Sequence, residues 1–202
     1  SKKTKHKKQR LLLMKSKKTL FITSSPHCFG GIASVYRAIS KELEEEDIDV
    51  FFSYEETKSL LYFFLIYIKF LSIISNYRLI HLNTPLSFNS FFRDLPYLII
   101  SKLFNVNSIV HFHGGEDQFF KNILSNKLLK RIASMTYFSS DKIIVLGKIF
   151  IKKYSKIKFL KQHKWCVLPN PVESHIFLTT TKKIKNKPKK IKIIFFSRID
   201  EK

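Results

Sequence analysis

From about residue 18 to residue 168 the chain alternates between short apolar, β-branched runs and longer segments whose apolar residues recur every three or four positions. This alternation constrains the fold more than any other feature. A run such as Thr19-Leu20-Phe21-Ile22-Thr23 reads as a strand covered on both sides, as in parallel sheets. Ile32, Val35, Tyr36, Ile39 and Leu43 mark one face of a helix that supplies such cover. Strands are expected at 18–23, 48–53, 78–83, 108–113, 142–146 and 165–168, and helices at 32–45, 58–75, 91–104, 120–139 and 148–156. Thr84-Pro85 is expected to stop the third strand, Gly114-Gly115 to end the fourth, and Pro96 to kink or break its helix. The predicted fold class is α/β: a Rossmann-like, mainly parallel sheet with helices on both faces.

The flanks break the alternation. Residues 1–17 read as a basic, disordered arm, and the first Met is Met14, so 1–13 are either upstream read-through or a flexible arm. No long apolar core with a small-residue cleavage site is visible there. The α/β domain is expected over 18–178, and the Lys- and Pro-bearing stretch 179–190 reads as a linker. Residues 191–202 read as the start of a second domain, with a strand at 192–197. A lone strand cannot bury itself, so the chain is expected to stop inside that truncated domain.

Charge is lopsided: 37 Lys and Arg against 15 Asp and Glu, a formal +22. That field favours anionic partners: phosphorylated ligands, acidic lipid head groups or nucleic acid. An AT-rich genome gives a similar excess of Lys, Ile, Phe and Asn without functional pressure, so charge alone selects none of them. Cys28 and Cys166 are far apart and match no metal spacing, which points to a reducing compartment rather than a disulfide framework. The apolar stretch 59–75 is interrupted by Lys69 and reads as a helix buried in the domain or lying against a membrane surface, rather than as a membrane span.

Four segments follow the expected strands in order: Gly30-Gly31-Ile32-Ala33; His111-Phe112-His113-Gly114-Gly115-Glu116; Val167-Leu168-Pro169-Asn170-Pro171-Val172-Glu173; and Phe195-Phe196-Ser197-Arg198-Ile199-Asp200-Glu201-Lys202. Together they resemble the retaining glycosyltransferases of family 4, with the GT-B fold. The resemblance implies that 18–178 is the acceptor-side N-terminal domain of an enzyme moving a sugar from a nucleotide-sugar donor to a saccharide or lipid-linked acceptor. Bacterial members often act in cell-surface polysaccharide synthesis at the inner membrane face. It also implies no cofactor or obligatory metal; taken with the basic charge and the apolar 59–75 stretch, it points to a cytoplasmic or membrane-peripheral location with an anionic membrane surface as a further partner. Without the donor-binding half the chain is expected not to turn over by itself.

Each segment also has its own physical reading. Gly30 and Gly31 open a helix, where a backbone without side chains can approach a diphosphate; the alternative is a plain tight turn. His113, the catalytic candidate by resemblance, can hydrogen-bond a sugar hydroxyl or stabilise charge; the alternatives are a structural histidine or a metal pair with His111. His81, Asn83, Gly114, Gly115 and Glu116 are acceptor- or sugar-binding candidates, against structural roles for His81 and Asn83 and helix capping for Glu116. Asn170 is placed on the donor side by resemblance, although Pro171 replaces the family's glycine and fixes the local backbone; a rigid turn is the alternative. Arg198 matches the family's diphosphate-binding arginine, a role suited to a guanidinium fork. Ser197 stands in place of its glycine, and Lys202 lies one position short of the partner lysine. Rival classes stay open: a nucleic-acid-binding protein, which lacks any recognisable motif here, a nucleotide-sugar epimerase of related fold, and a non-catalytic half.

Overall fold

A computed structural model describes residues 18–55, 59–115, 117–154 and 165–171. The basic arm, the linker at 179–190, the strand expected at 192–197, Glu116, Arg198 and Lys202 lie outside them. The elements run β1 (Lys18–Ser24), α1 (Gly31–Glu45), β2 (Asp49–Tyr54), α2 (Leu60–Ile73), β3 (Tyr77–Leu86), α3 (Phe88–Leu103), β4 (Asn107–Gly115), α4 (Asp117–Ser125), α5 (Lys127–Met135), β5 (Lys142–Val145), α6 (Lys148–Tyr154) and β6 (Trp165–Val167). Turns of 3-10 helix follow α2 at Ile74–Asn76 and α5 at Tyr137–Ser139.

The six strands form one sheet in the order β2-β1-β3-β4-β5-β6, and every neighbouring pair is parallel. The chain steps from β1 outward to β2, then crosses back to β3 on the other side of β1. Right-handed crossovers in opposite directions put α1 on one face and the later helices on the other. Side-chain alternation agrees. Leu20, Ile22, Phe51, Ile80, Leu82, Val110, Phe112, Ile143 and Val145 join Ile66 and Phe70 of α2 and Phe91, Tyr97 and Leu98 of α3 in the main core. Phe52, on the opposite face, meets Tyr36 of α1 edge-on at 5.3 Å. Full burial of each large apolar side chain in this core stabilises the fold by about 1.5–3 kcal/mol.

Three expectations are corrected. β3 does not stop at Thr84-Pro85 but runs to Leu86. Pro85 lacks a donor and falls where the register with β4 shifts, between Thr84 and Leu86, so the ladder skips it. β4, by contrast, ends at Gly114-Gly115 as expected.

Pro96 does not break its helix, which begins earlier than expected, with the Ser87 side chain capping the Ser90 N–H at 3.4 Å. The proline cannot donate to the turn before it. The carbonyl left without its helical donor is that of Phe92; on either side of it the Tyr137 hydroxyl donates to the Phe91 carbonyl (2.9 Å) and the Tyr67 hydroxyl to the Arg93 carbonyl (2.7 Å), tying this stretch of α3 to its neighbours.

The single helix expected over 120–139 is two. Asn126 ends α4 and caps α5, its Oδ1 accepting from the N–H groups of Leu128 and Leu129 at 2.9 and 3.1 Å. No described helix is long and apolar enough to cross a membrane.

Candidate functional site

The strand order reverses at β1, and the crevice beside such a reversal, at the carboxyl ends of the strands, is where open parallel sheets bind ligands. A cleft of about 240 Å³ lies there, lined by the β1–α1 loop, the ends of β2 and β3, α3 and His113 of β4. Its loop is ordered by its own polar groups. Ser25 N–H donates to the Tyr54 carbonyl (2.8 Å) and Cys28 N–H to the Ser25 carbonyl (3.0 Å). Arg37, from the second turn of α1, reaches back to donate to the Pro26 carbonyl at 2.6 Å and to Ser34 Oγ at 2.9 Å.

Gly30 takes φ +126°, a backbone region that side chains rarely adopt, and it caps α1 with no side-chain hydrogen bond. Gly30 thus gives the first-turn N–H groups of α1 no side-chain partner, and these groups carry the positive end of the helix dipole. Gly31 follows with ordinary φ, and a Cβ built on it meets nothing within 4 Å. Nothing in the packing of the described residues demands glycine at Gly31.

Across the cleft stands His113. Asn83 Nδ2 donates to the Ile22 carbonyl (3.2 Å) and the His81 carbonyl (3.3 Å), which fixes the amide so that its Oδ1 faces His113 Nε2 at 3.0 Å. An amide oxygen only accepts, so Nε2 carries the hydrogen, and in the neutral ring Nδ1 is the acceptor. Asn170 Oδ1 lies 3.0 Å from Nδ1. A neutral His113 is matched there by the NH2 end of Asn170, and a protonated one by the oxygen. Burial holds the His113 pKa below its usual value, and the Asn170 contact opposes that. Both ring nitrogens of His113 are thus engaged by asparagine side chains, Nε2 by Asn83 and Nδ1 by Asn170, so a ligand reaches Nδ1 by displacing Asn170.

His113 heads a row of three imidazoles. His111 lies 4.0 Å away by ring centroids, His81 stacks on His111 at 5.6 Å, and Phe21 meets His81 edge-on at 5.0 Å. Burial, reinforced by the neighbouring imidazoles, lowers the pKa of His81 to about 4 and of His111 to about 3; a backbone hydrogen bond with Leu168 opposes this at His111. Nε2 of each finds no hydrogen-bond partner among the described residues. No group of three or more His, Cys, Asp or Glu among those residues is placed to hold a metal ion.

The floor of the cleft carries Arg93. Its Nε and Nη2 donate to Asp94 Oδ1 and Oδ2 at 2.7 and 2.8 Å, Thr84 Oγ1 donates to Asp94 Oδ2 at 2.6 Å, and the guanidinium lies 5.1 Å from the Tyr54 ring centroid. Burial alone would lower the Arg93 pKa, but the Asp94 carboxylate outweighs it and raises it. Asp94 is fully buried, so the pair is a fixed, desolvated dipole beside the β1–α1 loop.

Of the residues singled out from sequence, Gly30, Gly31, Asn83 and His113 line this cleft together, and Asn170 reaches it through His113. Gly114, at φ +108°, and Gly115 follow His113 at the end of β4. His81 does not line the cleft but packs between Phe21 and His111. Glu116 and Arg198 lie outside the described residues. Arg93 and Tyr54 were not singled out; the signal for the first was an Arg-Asp pair inside an otherwise apolar helix. No protein-family model and no curated protein matches the sequence.

Proposed function

We propose that this chain provides the acceptor-side domain of a retaining GT-B-type glycosyltransferase of family 4, moving a sugar from a nucleotide-sugar donor to a saccharide or lipid-linked acceptor in cell-surface polysaccharide synthesis. The observation that carries the reading is the pairing across one cleft of an uncapped helix N-terminus at Gly30-Gly31 with an oriented imidazole, His113. The leaving group of such a transfer is a nucleoside diphosphate. Backbone N–H groups and the dipole of α1 suit its charge, and without side chains at Gly30 and Gly31 it can come close. His113 is held at a fixed position by Asn83 at Nε2 and Asn170 at Nδ1, and a sugar hydroxyl that displaces Asn170 would meet Nδ1 there; positioning of this kind accounts for much of catalysis in group transfer.

NMR titration of the 202-residue chain with nucleoside diphosphates, nucleotide sugars and oligosaccharides tests this. The reading expects shifts at Gly30, Gly31 and His113, weakened about tenfold by His113→Ala. Absence of shifts at these residues with every one of these ligands would overturn it.

A further inference from the structure

The outward face of α2 is apolar where a helix covering a sheet is ordinarily polar. Only Ile66 and Phe70 of this helix are buried. Leu61, Phe64, Ile68 and Leu71 are 64%, 61%, 48% and 46% exposed, and α3, packed beside α2, adds Ile99 and Leu103 at 42% and 74%. An exposed apolar patch on adjacent helices marks an interaction surface.

Its charge identifies the partner. From Ser59 to Gly115 the only carboxylate is Asp94, fully buried and paired with Arg93. The exposed charged residues of that stretch, Lys69, Arg78 and Lys102, are all cationic, in a chain of formal charge +22. Glu55 lies beside Lys69 at the flank of α2, but the exposed apolar residues of α2 and α3 carry no carboxylate among them, so a second copy of this face would mainly set like charges together. An anionic bilayer supplies both an apolar interior and a sheet of acidic head groups.

We propose that the α2–α3 face seats on an anionic membrane surface, with α2 lying in the interfacial plane. Leu61, Phe64, Ile68 and Leu71 then enter the acyl boundary, while Lys69 extends its amine to the phosphates. At 14 residues α2 is about 21 Å long, short of the roughly 30 Å hydrocarbon core, so it lies on the membrane rather than across it. This deepens the reading of a lipid-borne acceptor, but it stands on the surface alone and is tested without any transfer reaction.

The test is co-sedimentation of the full chain with vesicles of neutral phosphatidylcholine and of the same lipid with about 30% phosphatidylglycerol. Binding to the anionic vesicles is expected, and it should weaken about tenfold in Leu61→Gln/Phe64→Gln and again in Ile68→Gln/Leu71→Gln. All four side chains are solvent-exposed, so circular dichroism should report an unchanged fold. Lys69→Glu should weaken anionic binding alone. Unchanged binding in both double variants would assign the attraction to the basic tails and overturn the proposal. So would equal binding to both vesicle types, or a dimer in sedimentation velocity that the variants dissolve. A chain that binds vesicles but none of the nucleoside diphosphates, nucleotide sugars and oligosaccharides would refute the enzymatic reading and leave this one standing.

Discussion

Asn83 Oδ1 accepts from His113 Nε2 at 3.0 Å while the amide nitrogen of Asn83 is committed to two backbone carbonyls. One buried side chain at the end of β3 thus sets which nitrogen of a histidine on β4 carries its hydrogen. Asn83→Asp puts a carboxylate at that position. It should raise the His113 pKa, because an adjacent negative charge favours the imidazolium. Asn83→Ala should lose the single tautomer and about 1–3 kcal/mol of stability, since the groups it satisfied are left unpaired. Nitrogen-15 chemical shifts of the imidazole read both effects; an unchanged tautomer in Asn83→Ala would show that His113 is oriented by something else.

Gly30 and Gly31 should respond differently to alanine. At Gly30, with φ +126°, a side chain costs about 1–3 kcal/mol of backbone strain. At Gly31 there is space for a Cβ, so Gly31→Ala should melt within a degree or two of the parent or slightly above it, through the reduced entropy of the unfolded chain. The same substitution should weaken nucleoside diphosphate binding. A stable Gly31→Ala that binds as well as the parent would take Gly31 out of the ligand site.

The Arg93–Asp94 pair should be costly to break from either side. Asp94→Ala leaves a desolvated guanidinium unpaired and should cost about 3–5 kcal/mol in urea denaturation. Restoring a net-neutral pair by also replacing Arg93 with Met should recover part of that loss. A double variant no more stable than Asp94→Ala would mean that packing, not the unpaired charge, sets the cost.

Acid should destabilise the fold through His81 and His111. Their folded pKa values, about 4 and about 3, lie below the ordinary 6.5, so between these limits the unfolded chain binds more protons. Stability is then full above pH 6.5 and falls as pH drops, at up to about 1.4 kcal/mol per pH unit for each histidine. Urea denaturation across that range measures the slope. His81→Leu should flatten it, and an unaltered slope would place the acid sensitivity elsewhere.

The alternation of apolar runs and helical periods was enough to predict the α/β class and all six described strands, because a strand buried on both faces has no polar side to disguise it. Gly30, Gly31, Asn83 and His113 were legible as candidates because they fall at strand ends, where a parallel sheet opens its crevice. Tertiary contacts decided what local pattern could not. Pro96 stays inside α3, a helix that tyrosines from two other elements tie down at the Phe91 and Arg93 carbonyls. His81 turned inward and Asn83 toward the cleft although both lie near the end of one strand. Arg93 became the floor of the site only when the fold brought β2, β3 and α3 to one edge of the sheet. The apolar face of α2 was visible as hydrophobicity, but only the packed structure left it open to solvent. Sequence periodicity reports which residues avoid water along one element; which of them meet, and which are left bare, depends on neighbours far along the chain.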